Sequence, residues 1–245
     1  MYNKPRLIPV LGIIGDDLVK TTKFEDPRYL GDPVNAVKIF NDKGVDELVI
    51  GDIRASKDGT PINFNLLEDI ASQAFMPLGY GGGIQTIEDA KRIFRMGFEK
   101  VIFSTNLIEK PELIQQCVQL AGSSSVVAAI DVKKVKNHYH VYGQSGTKKV
   151  SENFPQYLKY VLSLGVGEII LTSIDHEGSM KGYDNNILNE IPFKIEVPII
   201  LNGGAGTIQH LQEAIKNGYD AVAASSMFVY FGLRKAVLIN FINPF

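Results

Sequence analysis

One stretch of this sequence occurs twice, half the chain length apart. The run YGGGIQTIEDAKRIFRMG at 80–97 returns as NGGAGTIQHLQEAIKNG at 202–218. A constant offset of 121 residues relates Gly82, Gly83, Thr86, Ile87 and Gly97 to Gly203, Gly204, Thr207, Ile208 and Gly218. Such self-similarity at a fixed distance indicates an internal duplication, so the chain is predicted to contain two copies of one structural unit.

The same offset relates the segments on either side of this stretch. Glu47, which opens the run ELVIGDI, corresponds to Glu168, which opens EIILTSI. Ser104-Thr105 corresponds in the same way to Ser225-Ser226. Three consecutive units are therefore duplicated, which exceeds the general likeness among repeated βα units.

Short apolar runs rich in β-branched residues alternate with amphipathic segments along the whole chain. Continuous apolar runs are typical of parallel strands that are covered on both faces. There are eight such runs, at residues 6–12, 47–53, 76–82, 100–105, 125–131, 168–174, 197–203 and 221–226. The amphipathic segments predict helices, and they include DNNILNEI at 184–191 and the closing FGLRKAVLINFI at 231–242.

Eight βα units in 245 residues predict an α/β fold, the (β/α)8 TIM barrel, built here as two duplicated half-barrels. The alternative is a doubly wound open sheet, which would carry a GxGxxG turn after its first strand. That turn is missing from the sequence. Because no linker or low-complexity segment interrupts the pattern, we expect a single domain over residues 1–245.

Composition disfavours several classes of protein. A net charge of −2 argues against a nucleic-acid partner. No apolar run approaches membrane-spanning length and the N-terminal MYNKPRLIPV lacks a signal-peptide pattern, so we expect a cytoplasmic protein that does not bind membranes. The only cysteine, Cys117, is predicted to be a small buried side chain. The four histidines do not offer a closed ligand set, so we expect neither a metal nor a cofactor.

The duplicated glycines fall at the C-terminal ends of the predicted strands, the end of a barrel that binds ligands and that we call the mouth. Glycine lets backbone N–H groups approach an anion, and a following helix N-terminus adds a favourable dipole. We therefore predict two phosphate sites, suited to an elongated ligand with a phosphate at each end; the bland alternative is a pair of tight turns without a ligand. The first site comprises Gly82, Gly83, Ser104 and Thr105, and the second comprises Gly178, Gly203, Gly204, Ser225 and Ser226.

Asp131 ends the fifth apolar run and is the candidate catalytic acid or base between the two phosphate sites. Apolar surroundings desolvate a carboxyl group, which can raise its pKa toward neutrality. Its counterpart should end the first run, but that position is Gly12. Asp16 or Asp17, in the loop that follows, could take the missing role, although loop carboxylates are usually solvated turn residues.

Eight short segments spread over nearly the whole chain match the motifs of one known family. They are LIP at 7–9, GDP at 31–33, DELV at 46–49, GGGI at 81–84, AID at 129–131, GEIILTSID at 167–175, GYD at 182–184 and GGAG at 203–206. Through them the chain resembles the cyclase subunit of imidazole glycerol phosphate synthase. The resemblance implies a half-barrel duplication that receives ammonia from a glutaminase through its axis. It also implies a phosphorylated small-molecule substrate, with two phosphates, that is cleaved and cyclised to imidazole glycerol phosphate and an aminoimidazole ribonucleotide.

The chain departs from this family at the mouth. The resemblance places two catalytic aspartates at the ends of strands 1 and 5, and here only Asp131 is present because Gly12 occupies the other position. Arg54 stands where the family commonly has threonine, and Ser104 replaces an asparagine. Gly79-Tyr80 precede the first phosphate site. The mouth is therefore altered while the phosphate sites are kept.

Four charged residues open predicted strands 1, 2, 4 and 6, at the opposite end of the barrel, which we call the floor. They are Arg6, Glu47, Lys100 and Glu168. Single charges on the axis would be costly to bury, whereas a mutually paired ring is tolerable; the alternative is strand-end charges that face solvent. The resemblance implies that these four residues form the family's ammonia gate. It also implies that the chain binds a glutaminase subunit as a heterodimer.

An altered mouth above an intact floor predicts a paralogue. One branch of the family serves bacterial surface-polysaccharide pathways, where a cyclase-like barrel and its glutaminase supply an amidotransferase that converts a sugar N-acetyl group to an acetamidino group. The resemblance implies that this chain delivers ammonia to such a sugar amidotransferase, with weak or no cyclase activity of its own. Two alternatives stay open: a working histidine-pathway cyclase and a non-catalytic docking scaffold.

Other side chains near the mouth are weaker candidates. Lys20 and the basic segments KKVK at 133–136 and TKK at 147–149 could steer a phosphate inward, although such charges usually form a solvated face. His176 follows strand 6 beside the second phosphate site, and the alternation in HYH at 138–140 predicts a small hairpin. The aromatic residues Phe75, Phe94 and Phe98 are predicted to be packing residues.

Overall fold

Eight parallel strands close into a barrel in the computed structural model, which describes residues 4–232 and 234–245. Strand 8 pairs with strand 1, Arg6 opposite Ala221, and this pairing closes the sheet. All eight predicted strands are confirmed. Barrel strands 1 to 8, numbered in this way throughout, span Arg6–Ile14, Leu48–Asp52, Leu78–Gly81, Lys100–Phe103, Val126–Val135, Glu168–Ser173, Ile199–Asn202 and Ala221–Ala224.

Helices surround the barrel between the strands. The duplication extends to their caps: Thr86 and Thr207 begin two corresponding helices, and each side-chain oxygen accepts a hydrogen bond from a backbone N–H three residues on. The α-helices span Pro33–Asp42, Ala55–Asp58, Phe64–Gln73, Ile87–Arg95, Asn106–Glu109, Pro111–Ala121, Phe154–Ser163, Ile208–Lys216 and Ser226–Val229. The predicted helix at 184–191 is only a 3-10 turn, Ile187–Glu190, because Pro192 disfavours helical geometry in the residue before it. A second 3-10 turn is Ser123–Ser125.

Two antiparallel hairpins extend strands 1 and 5 beyond the barrel at the mouth. The first hairpin, residues 13–31, contains strands Asp17–Thr22 and Glu25–Gly31. The second hairpin, residues 132–151, contains strands His138–Gly143 and Lys148–Ser151, which confirms the hairpin predicted there. The first hairpin was not predicted because its tip places Lys23 and Phe24 at positive φ, a conformation that these two residue types seldom adopt.

The end of the chain is not the predicted helix. Among its described residues, Tyr230–Phe231 and Ala236–Val237 pair as two short strands, and residues 238–245 then have no regular secondary structure. Backbone N–H groups of Leu238 and Asn240 bond to carbonyls of Val229 and Phe228. The ring of Phe241 packs 5.3 Å from that of Phe228. These contacts bury apolar side chains without a helix. Within residues 4–232 and 234–245, every helix is too short or too polar to span a lipid bilayer.

The inside of the barrel is filled by one apolar layer. Side chains alternate along a strand, so the inward position of Arg6 places Ile8, Val10 and Gly12 inside as well. A distinct buried cluster results, separate from the larger core between strands and helices. It comprises Ile8, Val49, Ile102, Val127, Ile170, Ile200, Ala221 and Ala223. This layer separates the floor from the mouth.

Candidate functional site

Strand register identifies Gly12 as the structural counterpart of Asp131. Gly12 lies opposite Gly51 on strand 2, and Asp131 lies opposite Thr172 on strand 6. Gly51 and Thr172 are themselves 121 residues apart. The two half-barrels therefore present glycine and aspartate at equivalent points of the mouth.

Asp131 belongs to a hydrogen-bonded arc on one side of the mouth. The Asn202 amide donates to Thr172 Oγ1 at 3.2 Å, and Thr172 hydrogen-bonds Asp131. Desolvation by burial raises the pKa of Asp131 to about 7, the Thr172 hydrogen bond opposes that rise, and the charge of Glu177 adds to it. Both protonation states are thus populated near neutral pH, as a general acid or base requires.

The facing arc of the first half-barrel consists of glycines. Gly12, Gly51 and Gly81 are the counterparts of Asp131, Thr172 and Asn202. At Gly51 neither a positive φ nor a close contact demands glycine, since an added Cβ would meet nothing nearer than a carbonyl 4.0 Å away. Thr172 and Asn202 were not predicted as site residues, although the offset of 121 residues pairs them with Gly51 and Gly81.

A cavity of about 720 Å³ lies between these arcs and opens at the mouth. The predicted first phosphate site, Gly82, Gly83, Ser104 and Thr105, lines its wall, and Asp131 lines its base. Gly82 also has a structural reason to be glycine. Its φ is 119°, and an added Cβ would lie 2.5 Å from the Asp52 carbonyl oxygen. Backbone packing alone therefore requires this glycine, with or without an anion.

The residues of the predicted second phosphate site line a smaller pocket of about 100 Å³. Its walls include Gly178, Gly203, Gly204, Ser225 and Ser226, together with Gly12. Ser226 Oγ is buried and has no hydrogen-bond partner among the described residues. An unpaired buried hydroxyl is costly, and an anion in this pocket would satisfy it.

Lys20 lies in the wall of this second pocket, but its ammonium is paired. Buried Lys20 forms an ion pair with buried Glu177, and Glu177 also accepts a hydrogen bond from the backbone N–H of Phe24 at 3.1 Å. The pair fastens the first hairpin over the pocket. Glu177 was not singled out from the sequence because nothing in its local pattern marks it as buried.

Several loop candidates are not brought to the cavity. Asp16 accepts a hydrogen bond from Asn63 at 2.7 Å on the exposed side of the first hairpin, and Asp17 is exposed beside it. Neither lines the mouth cavities. His176 also lies outside their walls, with Nδ1 3.0 Å from Ser173 Oγ. Arg54 does line the large cavity.

The four charged residues of the floor converge into one closed ring. Arg6 Nη1 lies 2.8 Å from Glu47 Oε2, and its other terminal nitrogen pairs with Glu168. Lys100 Nζ lies 2.7 Å from Glu47 and 2.8 Å from Glu168. Burial disfavours the charge of Arg6, but the two glutamates outweigh it and raise the guanidinium pKa. Every charge in the ring touches two of opposite sign.

The floor also carries exposed apolar surface. Phe75 is 87% exposed, so its prediction as a packing residue is wrong, whereas Phe98 is buried as predicted. A groove of about 710 Å³ beside Lys100 is lined in part by Phe94, Phe98 and Leu120. Cys117 is buried in a helix, as predicted, and burial raises the pKa of its thiol to about 11.

Comparison with known proteins gives a consistent result. Residues 6–234 match the sequence profile of a family described as histidine biosynthesis protein. A Leptospira borgpetersenii protein, provisionally named imidazole glycerol phosphate synthase subunit HisF, is 47% identical over 243 residues, 98% of this chain and 96% of that protein. A Pseudomonas aeruginosa protein, provisionally named subunit hisF2, is 42% identical over 238 residues, 96% of this chain and 95% of its own length. The imidazole glycerol phosphate synthase subunit HisF of Exiguobacterium sibiricum is 39% identical over 223 residues, 91% of this chain and 90% of its own.

Proposed function

Because this chain belongs to the histidine biosynthesis protein family, as a HisF-type cyclase subunit of imidazole glycerol phosphate synthase, we propose that it passes ammonia from a glutaminase partner at its floor to its mouth. We further propose that the nitrogen serves sugar amidation in surface-polysaccharide synthesis, and that the chain's own cyclase activity is weak.

The observation that carries the proposal is the contrast between the two ends of the barrel. The charged ring at the floor is complete, whereas the aspartate expected at position 12 of the mouth is glycine. A ring of four partly buried charges is costly to hold together, and it is a weak source of stability. Its retention favours a role in admitting a small molecule to the axis.

The barrel interior supports passage of a neutral molecule. The layer between ring and mouth is made of aliphatic side chains, such as Ile8, Val49 and Ile170. Moving an ammonium ion into such surroundings would cost many kcal/mol, whereas uncharged ammonia enters without that penalty. The layer therefore favours ammonia over ammonium.

The missing carboxylate supports the loss of cyclase chemistry. A positioned acid or base contributes typically about 10² to 10⁴-fold to a rate, and Gly12 offers no such group. Asp16 is hydrogen-bonded to Asn63, and neither Asp16 nor Asp17 lines the pocket that contains Gly12. The similar proteins of Pseudomonas aeruginosa and Vibrio vulnificus carry the numbered names hisF2 and hisF3, as expected for additional copies of such a subunit.

The test is reconstitution of this chain with the glutaminase of the same organism. We expect a stable heterodimer, glutamine hydrolysis stimulated by the barrel, and delivery of the nitrogen to a sugar amidotransferase. Lys100→Ala should uncouple glutamine consumption from nitrogen transfer while the barrel stays folded. A heterodimer whose coupling is indifferent to Lys100 would remove the ring from the proposal.

A working cyclase is the second candidate, because Asp131 keeps a pKa of about 7 inside a cavity large enough for a ligand. Given ammonia and the bis-phosphate substrate, the purified chain would then release imidazole glycerol phosphate. If the assay yields no imidazole glycerol phosphate, this candidate is eliminated. Phosphate density at both glycine sites in a crystal would contradict the third candidate, a scaffold without ligands. The Ser226 hydroxyl, which is unpaired among the described residues, favours such density.

A further inference from the structure

The two hairpins at the mouth carry opposite charge, although the duplication makes them counterparts. The second hairpin, residues 132–151, contains five lysines and neither aspartate nor glutamate. The first hairpin contains four acidic residues, Asp16, Asp17, Glu25 and Asp26, all exposed. Its cations are Lys23, Arg28 and Lys20, and Lys20 is buried in an ion pair with Glu177. The rim of the mouth is therefore acidic on one side and basic on the other.

The lysines of the second hairpin are presented outward. Lys133, Lys134, Lys136, Lys148 and Lys149 are all exposed. Lys148 and Lys149 have acidic neighbours in Glu109 and Glu152, whereas Lys133, Lys134 and Lys136 have no ion-pair partner within the described ranges. Positive charge concentrated in this way, on a chain of net charge −2, creates a local field that attracts acidic partners.

We propose that the second hairpin is the docking surface for an acidic protein that covers the mouth and takes up the nitrogen that leaves it. This inference rests on the proposed function, in which the glutaminase occupies the opposite end of the barrel. The partner's face is acidic opposite residues 132–151 and lacks that acidity opposite the first hairpin. Such complementary charge fixes orientation and speeds association more than it raises affinity.

Two other anionic partners fit the surface less well. A nucleic acid long enough to cross the mouth would meet Asp16, Asp17, Glu25 and Asp26 on the far rim. A small anion drawn into the cavity would use Lys133, which lines it, but Lys134 and Lys136 do not. These two lysines therefore separate docking of a macromolecule from capture of a small ligand.

The experiment measures association of the purified chain with the sugar amidotransferase of the same organism, at low and high salt. Lys134→Glu/Lys136→Glu should slow association roughly tenfold at low salt and flatten its salt dependence. The matched control is Lys38→Glu/Lys216→Glu, which makes the same charge change on exposed outer helices and should leave association unchanged. Lys134→Gln/Lys136→Gln should give an intermediate effect, and a thermal melt verifies that each variant is folded.

Other outcomes overturn the inference. No binding of the amidotransferase to the wild-type chain, or equal binding by the hairpin variant and the control, removes this docking surface. Loss of self-association in the hairpin variant, seen as a change in mass, assigns the surface to a second copy of the chain. Loss of binding to a duplex DNA probe assigns it to nucleic acid. Failure of the proposed function appears separately, as absent stimulation of the glutaminase, which the hairpin variant should leave intact.

Discussion

The floor and the mouth of this barrel use the same duplication in opposite ways. At the floor, the counterparts Glu47 and Glu168 are identical, and each bonds the same two cations, Arg6 and Lys100. At the mouth, the first half-barrel offers only backbone where the second offers an aspartate, a threonine and an asparagine. The strand register is preserved at both ends. Duplication thus fixes the backbone, while the chemistry at each end decides whether symmetry is kept.

The contrast shows which of the two functions requires both half-barrels. A ring of alternating charges requires both glutamates, because removing either one leaves two cations with a single partner each. The mouth has no such requirement, since one half can hold a hydrogen-bonded arc while the other provides space. Variants that equalise or unbalance the two halves test this comparison directly.

The largest expected effect is at the symmetric floor. Glu47→Gln and Glu168→Gln should each lower the free energy of unfolding by about 3 kcal/mol, because each leaves partly buried cations short of a partner. The two losses should agree within about 1 kcal/mol. Urea unfolding measures both, and Glu88→Gln, in an exposed helical pair with Lys91, is the control with a cost below about 0.5 kcal/mol. Clearly unequal losses would contradict a symmetric floor.

Gly12→Asp makes the two halves of the mouth chemically alike. We expect cyclase turnover to rise by roughly 10²-fold, since the change restores a second acid–base group. The added Cβ lies 3.2 Å from the Val19 carbonyl oxygen and 3.4 Å from Ile53, so the first hairpin must yield slightly. Steady-state release of imidazole glycerol phosphate is the measurement, and Gly12→Asn controls for size. Equal rates in both variants would mean that the remaining mouth no longer accepts the substrate.

Asp131→Asn tests the burial of the one retained carboxyl group. Its pKa is raised to about 7, so its contribution to stability is complete below the unfolded value near 4 and is lost as pH rises through about 7. Between pH 4 and pH 8, the free energy of unfolding of the variant should therefore rise by about 2 to 4 kcal/mol relative to that of the wild type. Denaturant melts across this range give the difference, and a gap that does not change with pH would refute a desolvated, proton-retaining Asp131.

The smallest effects distinguish two kinds of glycine. Gly82→Ala should destabilise by about 1–3 kcal/mol, because its positive φ and the nearby Asp52 carbonyl exclude a side chain. Gly51→Ala should stabilise by about 0.5–1 kcal/mol, since glycine is unfavourable inside a strand and the added methyl group meets no close contact. Melting temperatures of the two variants should move in opposite directions. A lower melting temperature for Gly51→Ala would show that the backbone at this position requires glycine.

Much of the architecture was predictable from repetition alone. The offset of 121 residues and the eight apolar runs predicted the barrel and its two halves, and the ends of the first and fifth runs paired Gly12 with Asp131. The four floor residues could be singled out because each opens an apolar strand, where a charge is unexpected. These features are local patterns or fixed spacings, and they survive without knowledge of tertiary contacts.

The parts that escaped prediction depend on contacts between distant segments. The pairing of Lys20 with Glu177 joins residues 157 positions apart, and neither residue has a neighbourhood that predicts burial. The extended C-terminal segment is fixed by Phe241 against Phe228, which overrides a helical pattern. The arc through Thr172 and Asn202 appears only when strand register is known. Tertiary packing decided each of these cases.

The aliphatic layer inside the barrel has one more consequence. Because its members, from Ile8 to Ala223, offer no titratable or hydrogen-bonding side chain, protons cannot hop along it between the two ends. The layer therefore blocks proton transfer between the floor and the mouth. Arg6 and Gly12, at the two ends, are separated by six residues of strand, roughly 20 Å. Substitutions at the floor and at the mouth should accordingly have additive effects on the free energy of unfolding.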